Sequence, residues 1–173
     1  GKCMNRKILK LIFLSLLFST YIFAKDGRDE EQSSSQMKKL NIRFYTKSVY
    51  YPGGDTSEPI FIKVAITNTS STTMRFKLAD DRSYSLDFSL LNTKNREALH
   101  NDGWKRKRAS NGQIYFREIT LEQGESYSFV ENVKDYIDIE EAGVYVLKAL
   151  FFPELKRLID NTEEHLVSNA LTL

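Results

Sequence analysis

Cysteine and histidine are scarce in this chain, and their scarcity excludes several kinds of chemistry. The 173 residues include one Cys and two His. A single Cys cannot form an internal disulfide or a multi-cysteine metal site. The two histidines, His100 and His165, lie far apart in the sequence, so a histidine-based metal centre is not expected either. The sequence therefore predicts no metal and no cofactor.

The motifs of common enzyme classes are also missing from the sequence. It contains no Gly-x-Ser-x-Gly elbow for a nucleophile and no glycine-rich loop for a phosphate. Strands do not alternate with helices as they would in a parallel nucleotide-binding sheet. We therefore expect no catalytic residues and a protein that is not an enzyme.

A mainly apolar run near the start of the chain is typical of an export signal. Basic residues follow Met4, and residues 11–24 form an apolar stretch of 14 residues. This stretch is shorter than the roughly 20 residues of a membrane span and suits the core of a signal peptide. We predict that residues 1–24 are a signal peptide with upstream residues, and an uncleaved membrane anchor is the alternative. The protein would then be periplasmic or extracellular.

Removal of the signal changes the charge balance. Residues 1–24 contain four basic and no acidic residues, which leaves 21 basic against 23 acidic residues in the remaining chain. Such a balance does not favour nucleic acid as a partner. Residues 25–38 are polar and are interpreted as a linker, and residues 39–173 are interpreted as one folded domain.

Alternation of apolar and polar residues dominates the domain and predicts β-strands. The alternating segments recur about every ten residues, with turns rich in Asn, Ser, Thr and Asp between them. They are centred on residues 40–44, 60–66, 74–78, 84–90, 114–121, 127–129, 144–152 and 165–173. The pattern predicts an all-β, antiparallel sandwich of seven or eight strands, with a closed barrel as the second choice. Residues 144–152 are apolar on both faces and should form a central strand.

Several pieces of the chain resemble bacterial immunoglobulin-like domains. The segment from Glu141 to Tyr145, with Gly143 between them, is similar to the tyrosine corner of such sandwiches. The order of the pieces MRFKL, SYSLDFSLLN, LEQGESYSF and GVYVLKALF resembles the bacterial intracellular proteinase inhibitor (BsuPI-like) family. This resemblance implies an immunoglobulin-like fold and, as one alternative, a protease inhibitor.

The segment Trp104-Lys105-Arg106-Lys107-Arg108 is the most distinctive local motif. Four cations beside an aromatic residue can bind a phosphate, a sulfated glycan or an anionic lipid head group. Turn residues flank the motif on both sides, so residues 101–112 are expected to form a projecting loop. Residues 153–165 are a second candidate contact segment, and a short helix is expected at its start.

Other motifs leave their alternatives open. Asn68-Thr69-Ser70 matches a glycan acceptor but equally suits a turn. Tyr45, Tyr50 and Tyr51 would serve a carbohydrate-binding module, although tyrosine is also common in strands. Together, the patterns favour an exported, non-enzymatic module that binds other proteins in the cell envelope or outside the cell.

Overall fold

The computed structural model of the chain describes residues 38–50, 58–110 and 112–173. The predicted signal peptide and nearly all of the predicted linker lie outside these residues. The described part contains nine strands and one α-helix. The strands are β1 (Lys38–Phe44), β2 (Phe61–Asn68), β3 (Met74–Ala79), β4 (Leu86–Asn92), β5 (Phe116–Leu121), β6 (Ser126–Asn132), β7 (Tyr145–Phe151), β8 (Leu166–Val167) and β9 (Leu171–Thr172), and the helix is α1 (Asp102–Ala109).

The strands form three antiparallel sheets around one hydrophobic core, and the all-β sandwich is confirmed. One sheet has the order β1-β2-β6, the second pairs β3 with β5, and the third has the order β4-β7-β8, with β9 also paired to β7. The alternating residues of β2, from Ile62 to Ile66, are fully buried. Their neighbours on the other face of the strand are partly or fully exposed, as period-two alternation requires.

The polar segment after β2 carries the chain from one sheet to another. β2 belongs to the first sheet and β3 to the second. Asn68 is buried, and its side-chain amide donates hydrogen bonds to the carbonyls of Thr72 and Leu121 at 2.8 and 2.9 Å. Its side-chain oxygen accepts from the Ser70 amide and hydroxyl. The side-chain nitrogen of Asn68 is thus already hydrogen-bonded inside the fold. The structure of the turn therefore accounts for an asparagine at this position.

The predicted central strand is β7, which pairs with β4 on one side and with β8 and β9 on the other. Leu147, Ala149 and Phe151 are fully buried on one face of β7. On the other face Val146 and Lys148 are exposed, while Leu150 is buried. The expected burial on both faces therefore holds only near the end of the strand.

The last predicted strand is divided into β8 and β9 by Ser168 and Asn169. The Ser168 backbone amide donates to the Ala149 carbonyl at 2.9 Å, and its hydroxyl accepts from the Ala149 amide at 2.8 Å. The Asn169 side chain bonds to both backbone groups of Ile42 in β1. These two residues connect the end of the chain to two different sheets.

The short helix expected at the start of residues 153–165 is not formed. Leu155 has a positive φ of 72°, which is incompatible with a right-handed helix. The backbone bend instead places both Leu155 and Lys156 in the interior. Lys156 reaches a buried carboxylate, which is described below. Among the described residues, no helix is long and apolar enough to cross a membrane.

Candidate functional site

Residues 101–112 were expected to form a loop, and this expectation is wrong because α1 occupies most of the segment. The flanking turn residues are the caps of the helix. The Asn101 side-chain oxygen accepts from the Trp104 amide at 2.7 Å, as an N-cap residue does. At the other end, the Ser110 amide and hydroxyl both donate to the Lys107 carbonyl.

The helix separates the basic motif into two groups. Trp104 and Arg108, four residues apart, lie on the same face of α1 and are only 2% and 6% exposed. Lys105, Arg106 and Lys107 are exposed on the opposite side. Trp104 and Arg108 therefore offer almost no surface to a partner in this conformation, whereas the other three predicted binding residues are accessible.

Arg108 attaches α1 to its neighbours in the fold. Its Nη2 donates to the Leu158 carbonyl at 2.8 Å, and its guanidinium lies 4.3 Å from the centre of the Tyr84 ring. The Tyr84 hydroxyl in turn donates to the Lys107 carbonyl at 3.3 Å. Arg108 thus joins the helix to the segment that follows β7, which places the two predicted contact segments next to each other.

A buried cluster of charged and polar side chains surrounds Asp87 in β4. One carboxylate oxygen accepts a hydrogen bond from Nε2 of His100 at 2.7 Å, and the other accepts from Nζ of Lys156 at 2.6 Å. Lys156 also donates to the Asn161 side chain at 2.6 Å. Both Asp87 and Lys156 are fully buried. A buried charge without such partners would be strongly destabilising.

Aromatic rings enclose this buried cluster. His100 stacks on Trp104 with ring centres 3.8 Å apart, and Nζ of Lys156 lies 5.1 Å from the Trp104 ring. Burial alone would raise the pKa of Asp87, but the hydrogen bond and charge of His100, followed by those of Lys156, outweigh it. The pKa therefore lies below its ordinary value. The carboxylate stays ionised and holds β4, α1 and the segment after β7 together.

An open cleft of about 430 Å³ lies beside α1. Its walls come from the turn after β3, from α1 and from the connection after β6. They consist of Asp80, Asp81, Arg82, Ser83, Trp104, Lys107, Glu131, Asp135 and Tyr136. Acidic and basic side chains both line the cleft, so its walls can pair with charges of either sign.

Glu131 has the most perturbed carboxyl group of this cleft. Burial raises its pKa to about 7, and the nearby Arg82 and the Tyr136 hydroxyl lower it by less. Nε of Arg82 lies 3.6 Å from one carboxylate oxygen, and the Tyr136 hydroxyl donates to the other at 3.3 Å. Glu131 therefore changes its charge near neutral pH.

At the start of β7, the Tyr145 hydroxyl donates to the Glu141 carbonyl at 2.9 Å. This is the hydrogen bond that characterises a tyrosine corner. Gly143 lies directly beside the ring, since a Cβ added to it would be 3.5 Å from Tyr145 Cε2. The residues of this corner serve the fold.

The tyrosines proposed as a carbohydrate platform do not all lie in the described part of the chain. Tyr45 is 58% exposed, whereas the hydroxyl of Tyr50 is buried. Tyr51 lies outside the described residues. A flat platform of three exposed rings is therefore not seen in the described structure.

The sequence did not indicate the buried cluster, although Asp87 lies in a predicted strand and Lys156 in a predicted helix. Asp87 occupies a polar position of an alternating strand, and such positions usually face solvent. Lys156 lies in a segment that was expected to be helical. Nothing in the local sequence around either residue indicates that they meet, because 69 residues separate them.

The fold and surface define a β-sandwich module that has no group of three or more metal-binding side chains among its described residues. The model of one particular family, described as flagellar collar protein C, N-terminal domain, matches residues 39–173. The chain belongs to this family. The flagellar collar family is a different family from the intracellular proteinase inhibitors, which the order of the sequence pieces resembles.

Comparison with solved structures adds no functional information. A β-glucuronidase from Bacteroides uniformis is 11% identical over 78% of this chain and 12% of that chain, with a TM-score of 0.32. A B. uniformis β-glucuronidase 2 bound covalently to cyclophellitol-6-carboxylate aziridine gives the same values. This chain spans about an eighth of the length of these enzymes. No curated protein matches the chain.

Proposed function

We propose that this chain is an exported, non-enzymatic module that acts by protein–protein contact within the flagellar collar of the bacterial cell envelope. The observation that carries the proposal is the family match over residues 39–173. A structural component of a collar needs surfaces that bind its neighbours, and a rigid sandwich with exposed connecting segments provides such surfaces. The apolar run at residues 11–24 supports export to the envelope.

The exposed side of α1 is the surface best suited to such a contact. It presents Lys105, Arg106 and Lys107, and the bond from Arg108 to the Leu158 carbonyl brings the segment after β7 next to the helix. In that segment Leu158 and Ile159 are 55% and 63% exposed. We call the surface formed by Lys105, Arg106, Lys107, Leu158 and Ile159 the α1 patch.

The composition of the α1 patch favours a protein partner over a glycan or a lipid head group. Exposed aliphatic side chains beside cations form a mixed surface of the kind found in protein interfaces, where apolar contacts are surrounded by charges. An anionic glycan would use the cations and leave Leu158 and Ile159 without a function. We therefore expect an acidic, partly apolar surface on the partner.

Localisation and co-purification test this proposal. In this test, a C-terminal affinity tag is added to the gene in its natural host. Flagella with their collars are then isolated from the envelope fraction. We expect the tagged chain to co-purify with the collar, and its mass to show that residues 1–24 have been removed. Recovery of the chain with its first 24 residues in the cytoplasmic fraction, and its absence from isolated collars, would contradict the proposal.

A further inference from the structure

The edges of the three sheets differ in how they are closed. In the first sheet, β6 has no further strand beside it within the described residues, but the Asn169 side chain closes the β1 edge. Its Oδ1 accepts from the Ile42 amide at 2.8 Å and its Nδ2 donates to the Ile42 carbonyl at 3.0 Å, which imitates a paired strand. In the second sheet, β5 pairs with β3, and within the described ranges no further strand lies along its outer edge.

The hydrogen-bond pattern shows which backbone groups of β5 point outward. The Asp80 amide donates to the Tyr115 carbonyl, while the Lys77 amide donates away from β5 to the Pro153 carbonyl. Bonding and non-bonding pairs alternate along an antiparallel ladder. The amides and carbonyls of Phe116, Glu118 and Thr120 therefore point away from β3.

Two of the devices that protect an edge strand, a bulge and a proline, are absent from β5. The strand is six residues long, pairs with β3 without a bulge and contains no proline. Four of its side chains are exposed, those of Phe116, Arg117, Glu118 and Thr120. Regular, unpaired edges of this kind are templates for the addition of another strand.

The charge on β5 indicates what kind of strand fits. Lys77 lies directly across from Glu118, but its Nζ bonds to Glu154 at 2.6 Å and lies 5.8 Å from the Phe116 ring. No ion pair with Glu118 occurs in the described part of the chain. A strand that brings a basic residue opposite Glu118 would provide one.

A second copy of the chain fits this edge poorly. Antiparallel self-pairing through these outward groups places Glu118 opposite Glu118, Arg117 opposite Arg117 or, in the register centred on Ile119, Glu118 opposite Thr120. In none of these registers does a cation lie opposite Glu118. Like charges directly opposite each other destabilise a pair of strands. The edge therefore favours a different polypeptide.

We propose that β5 accepts an extended segment of a partner protein as an added strand, with a basic residue of that segment opposite Glu118. This inference rests on the proposed function, because it names the surface through which the module would bind another collar protein. The pairing would use the outward backbone groups of Phe116, Glu118 and Thr120, with the Phe116 ring beside an apolar side chain of the partner.

The test uses the purified full chain and collars isolated from cells that lack it. Glu118→Pro removes an amide that points away from β3, so it blocks strand addition while keeping the β3 ladder. Ser128→Pro is the matched control on β6, where the register with β2 and the bonds at its two ends also direct that amide outward. Glu118→Lys keeps the strand intact and reverses the charge, which provides a second variant if the proline variant fails to fold.

We expect both Glu118 variants to bind the collars about tenfold more weakly or worse, and Ser128→Pro to bind like the wild type. Hydrogen exchange at residues 114–121 should slow when the wild-type chain binds.

Wild-type binding by both Glu118 variants, without slower exchange, would overturn strand addition and leave the proposed function standing. Self-association that Glu118→Pro abolishes would overturn the choice of a different polypeptide. Failure of the wild type to bind would overturn both proposals.

Discussion

Lysine and arginine occur on both sides of α1, and the protein uses them differently. Next to the inner side, Lys156 and Arg108 are buried and have partners that are fixed by the fold. On the outer side, Lys105, Arg106 and Lys107 are exposed. A buried cation costs stability unless its partners are retained, whereas an exposed one contributes little. The inner group therefore belongs to the scaffold, and the outer group is free to bind a partner.

The largest expected effect is the loss of the buried ion pair. Lys156→Met leaves the Asp87 carboxylate buried without its cation, and we expect it to lower the free energy of unfolding by about 3–5 kcal/mol. Urea unfolding, followed by the fluorescence of the single tryptophan, measures this loss. The double variant Asp87→Leu/Lys156→Met removes both charges and should lose less than Lys156→Met alone. A loss below about 1 kcal/mol for Lys156→Met would contradict the structural importance of the pair.

A comparable effect is expected at Trp104. This side chain is 2% exposed and stacks on His100, so Trp104→Ala should cost about 3–5 kcal/mol through the cavity that it leaves. Trp104→Phe should cost clearly less, because the indole Nε1 has no hydrogen-bond partner to lose. Thermal unfolding by circular dichroism compares the two variants. Wild-type stability in Trp104→Ala would show that the residue does not anchor the helix.

A smaller effect, which depends on pH, is expected at Glu131. Its pKa is about 7 in the folded chain, against an ordinary value of 4.5. The folded state therefore holds a proton that the unfolded chain releases, and stability falls as the pH rises from about 4.5 to about 7. Glu131→Gln removes this dependence and should stabilise the protein above pH 7 by about 1–3 kcal/mol.

Unfolding measured between pH 4 and pH 8 checks this prediction. The exposed Glu140 provides a matched control, since Glu140→Gln should leave the pH dependence unchanged. Equal pH profiles for the wild type and Glu131→Gln would mean that burial does not perturb this carboxyl group.

Much of the fold could be predicted from the sequence because strand alternation is a local pattern. Val64 and Met74 both lie on the buried face of their strands, as their period-two spacing predicts. The turn that suits Asn68-Thr69-Ser70 is also seen, and it carries the chain from one sheet to another. These features need only the pattern of neighbouring residues and the chemistry of turns.

The candidate site was harder to predict because it depends on contacts between distant segments. Asn101 and Ser110 have the composition of turns, and the same residues cap helices. Trp104 and Arg108 are four residues apart, which is a helical spacing. It was not accompanied by an apolar pattern long enough to predict a helix. Tertiary contacts with Tyr84 and Leu158 bury Arg108, and such contacts cannot be obtained from local spacing.

The smallest effect on stability, and the sharpest contrast with the inner group, is expected for the outer cations. The triple variant Lys105→Gln/Arg106→Gln/Lys107→Gln removes exposed charges near the end of α1 and should cost no more than about 1 kcal/mol. We expect it to weaken binding to isolated collars and to reduce the salt dependence of that binding, because the partner surface is proposed to be acidic. The matched control is Lys39→Gln/Arg43→Gln/Lys94→Gln, which neutralises three exposed cations elsewhere and should bind like the wild type. If both triple variants lose binding equally, the α1 patch is not a specific contact and only the overall charge of the domain matters. If the α1 variant instead unfolds like Lys156→Met, the division of the basic motif into a structural and a functional group is wrong.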